Sequence, residues 1–200
     1  MSSDKINGVW GLRPQLGPGA EPLAFLLTLI RTARLHLRPL NAADLADLTR
    51  LRADPLVFGQ MLGGVGSPWQ VAEDLTASIA AWACFGTGMF TIREGSSFQG
   101  ITGIHQRPDG RGLALRFAVW PEARGRGVAR EAASAALRFA HDQGGIGRIV
   151  AVARADNFGS RMVLGAIGMT ECDAFLRAGH VLLVYESLAA DRDHMRSPIA

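Results

Sequence analysis

Lysine is nearly missing from this 200-residue chain: of its 21 basic residues only Lys5 is a lysine, and the other 20 are arginines. A P-loop nucleoside triphosphatase needs a lysine after a glycine-rich loop at a strand end, and Lys5 stands in no such loop, so that class is excluded. We give the arginine bias little functional weight, because genome composition alone can produce it. Cysteine is scarce too. Cys84 and Cys172 form no CxxC pair, which speaks against a zinc site or a disulfide framework, and no metal is expected. Each is read as a small buried apolar residue, and a reducing cytoplasm is the expected location. Long apolar runs are also lacking. The longest, residues 23–30, falls short of the roughly 20 residues that a membrane span requires. Arg31-Thr32-Ala33-Arg34 follows it in place of a small-x-small cleavage site, so neither a membrane nor a secretory role is expected. The net charge is only +3, with no recognition helix or aromatic RNA motif, which argues against a nucleic-acid partner.

What is present describes a globular protein. Apolar residues make up 48% and charged residues 20% of the chain, a balance that folds rather than stays disordered. The length corresponds to one domain. We assign residues 1–32 to an N-terminal extension, 33–188 to the domain and 189–200 to a polar tail. Within the extension, the first 22 residues are rich in glycine and proline and are expected to be loosely held. Residues 23–30 read as an added helix or strand, packed on the domain or on a partner. That apolar segment and the exposed edges of a sheet point to a homodimer.

Along the domain, residues 35–38 alternate as a strand that Pro39 closes. Asn41 reads as an N-cap for a helix carrying Leu45, Leu48 and Leu51, with Asp44 and Asp47 where the dipole favours acids. Residues 54–66 read as a glycine-rich loop. Ser67-Pro68-Trp69-Gln70 forms a capping box with proline at the first helical position, and Val71, Leu75, Ile79 and Trp82 mark that helix's apolar face. Residues 89–93 and 98–105 read as a hairpin, and 113–120 as a further strand stopped by Pro121. An alanine-rich helix follows Gly127 and ends at Gly144-Gly145. Residues 148–154 form a strand, Asp156 or Asn157 caps a short helix, and two strands close the domain, around 174–177 and 181–185. Helices and strands mix without strict alternation. The expected fold is therefore α/β of the α+β kind: a single mixed, mostly antiparallel sheet with helices on both faces.

One segment carries chemistry: Val119-Trp120-Pro121-Glu122-Ala123-Arg124-Gly125-Arg126-Gly127-Val128-Ala129. A strand ends, glycines follow and a helix begins. The first amides of a helix lack partners and carry positive dipole charge, so a pyrophosphate can sit there. Glycine lets the backbone approach it, and Arg124, Arg126 and Arg130 add positive charge. The dinucleotide fingerprint fails, because Arg130 stands where its third glycine belongs and no Asp or Glu occurs from Gln143 to Ala155. Arg124-Gly125-Arg126-Gly127-Val128-Ala129 instead resembles the R/Q-x-x-G-x-G/A pyrophosphate loop of the GNAT superfamily of acyl-CoA N-acyltransferases. Asn157-x-x-Ser160 and Leu164-Gly165-Ala166-Ile167-Gly168-Met169 resemble that family's next motif. Leu35-His36-Leu37-Arg38-Pro39-Leu40 resembles the opening strand of the branch containing ribosomal-protein N-terminal acetyltransferases.

The resemblance implies splayed strands that form an acyl-CoA cleft. Backbone groups of Phe117, Ala118 and Val119 would pair with pantetheine amides, and one N–H would stabilise the oxyanion formed at the thioester carbonyl. Arg124, Gly125, Arg126, Gly127, Val128 and Ala129 would hold the pyrophosphate. Asn157 would bond near the pantetheine or the strand end, and Ser160 would lie near the sulfur. The implied activity is acetyl transfer from acetyl-CoA to a primary amine, a protein N-terminus or a small molecule, by direct attack. A non-catalytic acyl-CoA sensor is the alternative. The chain departs from the family pattern at two points. Leu164 stands where many members have a tyrosine acid, and no glutamate base occurs near Ala114 or Leu115. Ser160 is the candidate acid in the tyrosine's place, and His105 the candidate base. Tyr185, the only tyrosine, is read as packing, and Glu73 and Asp74 as acids paired with a helix dipole. The loop at 54–66 and the helix bearing Trp69 and Trp82 are expected to shape the acceptor pocket.

Overall fold

The computed structural model describes residues 28–189. Eight strands form one sheet: β1 (Ile30–Arg31), β2 (Leu35–Pro39), β3 (Met89–Glu94), β4 (Ser97–Gln106), β5 (Leu113–Val119), β6 (Arg148–Arg154), β7 (Thr170–Arg177) and β8 (His180–Leu188). Their order is β1-β2-β3-β4-β5-β6-β8-β7. All neighbours are antiparallel except β5 and β6, so the mixed, mostly antiparallel sheet is as expected. The helices are α1 (Leu45–Ala53), α2 (Pro55–Phe58), α3 (Pro68–Phe85), α4 (Val128–Asp142) and α5 (Phe158–Ala166). One apolar cluster joins α4 and Leu164 of α5 to Leu35, Ile92, Leu115, Ile149 and Tyr185. A second joins Leu48, Leu51, Phe58, Val71 and Leu75 to Met89, Ile101 and Ala118. The two clusters are the sheet's two covered faces, because side chains alternate along a strand.

Local chemistry explains most boundaries. Ser67 and Gln70 do form a reciprocal capping box, and Gly86 stops α3 with a φ of 62°. Gly127, at a φ of 77°, starts α4. Asn41 caps a 3-10 turn over Ala42–Asp44 rather than α1 itself. Asp44 is fully buried and accepts two hydrogen bonds from Arg38, at 2.8 and 2.6 Å. It is thus a structural counterion, and a bidentate guanidinium–carboxylate pair is the geometry that makes such burial tolerable.

Several expectations are corrected. Residues 54–66 are not all loop: Asp54 accepts from the Leu56 amide at 2.7 Å and caps α2. Leu45 is exposed, while Leu48 and Leu51 are buried. Both cysteines are exposed and unpaired, because Cys84 lies on the outer side of α3's last turn and Cys172 on the exposed strand β7. Glu73 and Asp74 lie beyond the first turn of α3, where the dipole's effect has faded. Residues 23–27 and 190–200 lie outside the described residues. Ile30–Arg31, which the sequence reading placed in the extension, pairs with β2 as β1. Among the described residues no helix is long and apolar enough to cross a membrane.

Gly100 allows β4 and β5 to approach. Its φ is +148°, and an added Cβ would stand 2.1 Å from the Ala118 carbonyl oxygen. We expect Gly100→Ala to cost about 2–4 kcal/mol in denaturant unfolding; a stability within error of the wild type would show that the strands separate freely there.

Candidate active site

β5 pairs with β4 along its whole length, from Leu113↔Gln106 to Val119↔Gly100. On its other side it meets β6 at one register position only, Ala114↔Val150. Beyond that point the two parallel strands part. The amide of Trp120 donates to the Gln99 carbonyl at 3.0 Å. Because the register with β4 has no bulge, this sets the phase of β5: main-chain groups of Ala118 and Arg116 point toward β4, and those of Leu115, Phe117 and Val119 point toward the gap. Of the three consecutive residues expected to meet a pantetheine chain, Phe117 and Val119 therefore present their backbone to the gap. Ala118 turns its main chain to β4 and its methyl to the α1–α3 cluster.

The gap opens toward two helix N-termini. Gly125 and Gly127 have φ values of 69° and 77°. An added Cβ at Gly125 would meet nothing within 4 Å, so these glycines serve backbone conformation and approach rather than packing. Among the described residues no side chain caps α4; its first backbone bond runs from the Glu131 amide to the Gly127 carbonyl. The Val128, Ala129 and Arg130 amides remain available to an anion. The loop arginines differ in role. Arg124 donates to the Leu56 carbonyl at 2.5 Å and ties the loop to α2. Arg126 pairs with Glu94 at 2.6 Å. Arg130 has no partner among the described residues.

Arg34 and Glu131 were not singled out in the sequence. Glu131 sits in α4's first turn, where a free carboxylate would compete with a bound phosphate. Arg34 donates to it at 2.9 Å and also to the Arg126 carbonyl, while the Thr32 hydroxyl donates at 2.5 Å. Burial raises the Glu131 carboxyl's pKa, but the Thr32 and Arg34 hydrogen bonds outweigh it and hold the group below the usual range. The β1–β2 turn thus neutralises Glu131 and braces the loop from behind.

At the narrow end, Leu115, Arg116, Phe117, Ala151 to Arg154, Asn157, Ser160 and Leu164 line a cleft of about 80 Å³. Asn157 spends its side-chain oxygen on capping α5, accepting from the Ser160 amide at 3.1 Å. Ser160 is half-buried and lines the cleft. A larger cavity of about 710 Å³ lies on the α1–α3 side of the sheet. Five residues line both spaces and join them: Arg52, Phe58, His105, Arg107 and Arg116. α3 contributes Val71, Asp74 and Leu75 to the larger cavity. Its tryptophans do not: Trp69, expected at the pocket, is 71% exposed, whereas Trp82 is core, as its place on the helix's apolar face implies, donating to the Met89 carbonyl at 2.8 Å and packing edge-on to Phe90.

The family model for the GNAT acetyltransferase domain matches residues 34–170. The chain belongs to the GNAT acetyltransferase family. As such it moves an acetyl group from acetyl-CoA to an amine acceptor. No curated protein sequence matches it. Among solved structures, an acetyltransferase from Agrobacterium tumefaciens is 28% identical, with a TM-score of 0.70 over 80% of this chain and 94% of that one. A Salmonella typhimurium acetyltransferase that modifies the N-terminal serine of ribosomal protein L7/L12 is 18% identical, with a TM-score of 0.70 over 80% of this chain and 99% of that one. The L7/L12 acetyltransferase RimL in complex with coenzyme A is 17% identical, with a TM-score of 0.68 over 80% and 98%.

Against the GNAT pattern, this member's catalytic groups are unusual. Leu164 is buried and lines the cleft, and Ala114 and Leu115 are buried without a carboxylate. Tyr185 is buried as expected, but it is also bonded: its hydroxyl donates to Glu171 at 3.1 Å and accepts from Arg161 at 3.3 Å. His105 does reach the junction of cleft and cavity. Its Nδ1 lies 3.1 Å from the Gln106 carbonyl; a carbonyl only accepts, so the neutral ring carries its proton on Nδ1 and leaves Nε2 as an acceptor. Burial, and after it the charge of Arg116, push its pKa down to about 3.

The unfolded imidazole titrates near 6.5 and the folded one near 3. Between those values the unfolded chain binds more protons, so this contribution is complete above the unfolded pKa and falls away as pH drops toward the folded one, by up to about 1.4 kcal/mol per pH unit. We expect His105→Asn to flatten the stability loss between about pH 6.5 and 4.5 in urea titrations; parallel curves for variant and wild type would refute the assignment.

Proposed function

We propose that the β5–β6 gap receives the pantetheine arm of acetyl-CoA, that the loop of Arg124 to Ala129 receives its pyrophosphate, and that the amine acceptor enters through the 710 Å³ cavity. The observation that carries this reading is the single bridge Ala114↔Val150 between otherwise unpaired parallel strands, leading to the uncapped start of α4. The residues present fit the group. Phe117 and Val119 offer main-chain donors and acceptors at the spacing of an extended amide chain, and the α4 amides offer an anion site with no competing carboxylate. Acetyl-CoA supplies an activated thioester carbonyl.

The chain's own residues then divide the work. A main-chain N–H of β5 facing the gap polarises the carbonyl oxygen, where a preorganised donor acts in a site largely shielded from water. Ser160 stands beside the sulfur position and can give a proton to the departing thiolate. That thiol's pKa is about 8.5 if it resembles cysteine, so it leaves with little help. The attacking amine must be neutral. Burial first, and then the charges of Arg116 and Arg107, hold His105 uncharged, and the same surroundings disfavour an ammonium. His105 Nε2 accepts a hydrogen bond from the amine and orients its lone pair, and the proton departs to water. With a pKa near 3, His105 is a positioning group rather than a strong base. Positioning is worth roughly 7–11 kcal/mol and a general base about 3–5, so the reaction does not depend on a carboxylate base. The two unpaired, exposed cysteines support a reducing compartment, the cytoplasm.

Two measurements test this assignment. Gly127→Glu places a carboxylate at the anion site and should weaken coenzyme A binding in calorimetry by at least about 100-fold; wild-type affinity in a folded variant would overturn it. Ser160→Ala should lower kcat no more than about tenfold with KM for acetyl-CoA unchanged, because the leaving thiol needs little assistance. Complete loss of turnover would make Ser160 a catalytic acid of a different order.

A further inference from the structure

The acceptor cavity has a charge surplus at the end where it joins the cleft. Three arginines meet there: Arg52, Arg107 and Arg116. Two have counterions. Arg107 is held by Asp109 through Nε and Nη2. Arg52 approaches Asp74 at 3.5 Å, donates to the Gly64 carbonyl at 3.3 Å and stacks on Phe58 at 4.5 Å; its Nε is buried without a hydrogen-bond partner. Arg116 has no ion pair or hydrogen bond among the described residues. It stands on β5 and lines both the cleft and the cavity.

Burial lowers the proton affinity of the Arg116 guanidinium; Asp74 offsets this in part, and Arg52 and Arg107 add to it. A guanidinium nevertheless stays charged at neutral pH. Arg116 is half-buried; a partly desolvated cation without a counterion is costly, and the planar fork of arginine is matched to a carboxylate. Around this cationic end the cavity is apolar, lined by Leu40, Leu48, Val71, Leu75, Met89 and Ile101.

We propose that the acceptor is a free α-amino acid with an apolar side chain, its carboxylate bound by Arg116. This rests on the reading of the cleft as the acetyl-CoA site. The location decides the class. Arg116 and His105 sit where cavity and cleft meet, so the anion it binds lies next to the reacting amine, a bond or two away. An α-amino acid has that geometry, and its side chain fills the apolar cavity. A peptide N-terminus has a neutral amide carbonyl in place of the carboxylate, and would leave Arg116 without a counterion. A polyamine would add positive charge beside three arginines, which a low-dielectric pocket penalises further. The transfer balances: the amine nitrogen forms the new amide bond to the acetyl carbon, the carbon–sulfur bond breaks, the thiolate takes one proton, and the carboxylate is unchanged.

The test compares leucine, valine, methionine and phenylalanine with their amides, with the corresponding amines lacking the carboxylate, and with tripeptides beginning in the same residues, at saturating acetyl-CoA. The wild type should acetylate at least one free amino acid with kcat/KM about 100-fold above its amide, amine and tripeptide counterparts, as expected when a site built to pair a polar group is left unpaired. Arg116→Gln should reduce that preference to within a few-fold, mainly through KM for the amino acid, with coenzyme A affinity in calorimetry unchanged. Arg116→Lys, which keeps the charge, should restore part of it and controls for a purely structural effect. Equal turnover of amide, amine or tripeptide, no acetylation of any free amino acid, or a preference that survives in Arg116→Gln would overturn the proposal. Coenzyme A that binds wild type normally in such a result leaves the cleft assignment standing; coenzyme A that fails to bind wild type refutes the cleft assignment and this inference with it.

Discussion

The site depends on two parallel strands that share one bridge and then separate. β5 is fully paired to β4, so it cannot follow β6 outward, and β6 is fully paired to β8, so it cannot follow β5 back. Each strand is anchored by its antiparallel neighbour. Backbone groups inside a sheet are normally paired, and those of Phe117 and Val119 are turned to a gap instead. In the proposed binding mode an extended amide chain supplies the missing partners, so the co-substrate would be recognised by an omitted stretch of strand pairing.

Electrostatics is organised around that gap in two regions. At the open end the proposed anion site is kept free of competition: Arg34 and Thr32 occupy the Glu131 carboxylate, and Glu94 occupies Arg126. Under that proposal backbone amides, more than free arginines, are left to meet phosphate. At the narrow end the balance is reversed. The carboxylates Asp109 and Asp74 serve Arg107 and Arg52, and Arg116 remains. Burial, and after it the charge of Arg116, keeps His105 uncharged, which under the proposed assignment lets a member without a glutamate base present a neutral amine.

Much of this was legible in the sequence where the signal is local. Ser67 and Gln70 announce α3, and Gly127 and Gly144 bracket α4, because caps and left-handed positions depend on a few consecutive residues. β6 was read over its full length for the same reason. The proposed pyrophosphate loop was legible as a loop before a helix because glycine spacing and a helix start lie within six residues. Where partners are distant, the reading ran out. Arg34 and Glu131 are 97 positions apart, so nothing nearby marks either as a brace. Asp44 read as a dipole-favoured helix acid, yet it is a buried counterion of Arg38. Cys84 and Cys172 read as buried by composition, and they are exposed because of the faces on which their helix and strand present them.

Residue order alone therefore determined the family, the mixed sheet, the glycine-bearing loop proposed to hold an anion, and the absence of the family's tyrosine and glutamate at their usual positions. These are properties of hydrophobic period, capping and glycine placement, all of which act over a few bonds. Only the tertiary structure decided which backbone groups of β5 face the gap, since that phase is set by the register with β4. It also decided which arginines are neutralised and which is left over. Register and charge pairing depend on residues tens of positions apart being brought within hydrogen-bond reach, and a linear pattern carries no record of that distance.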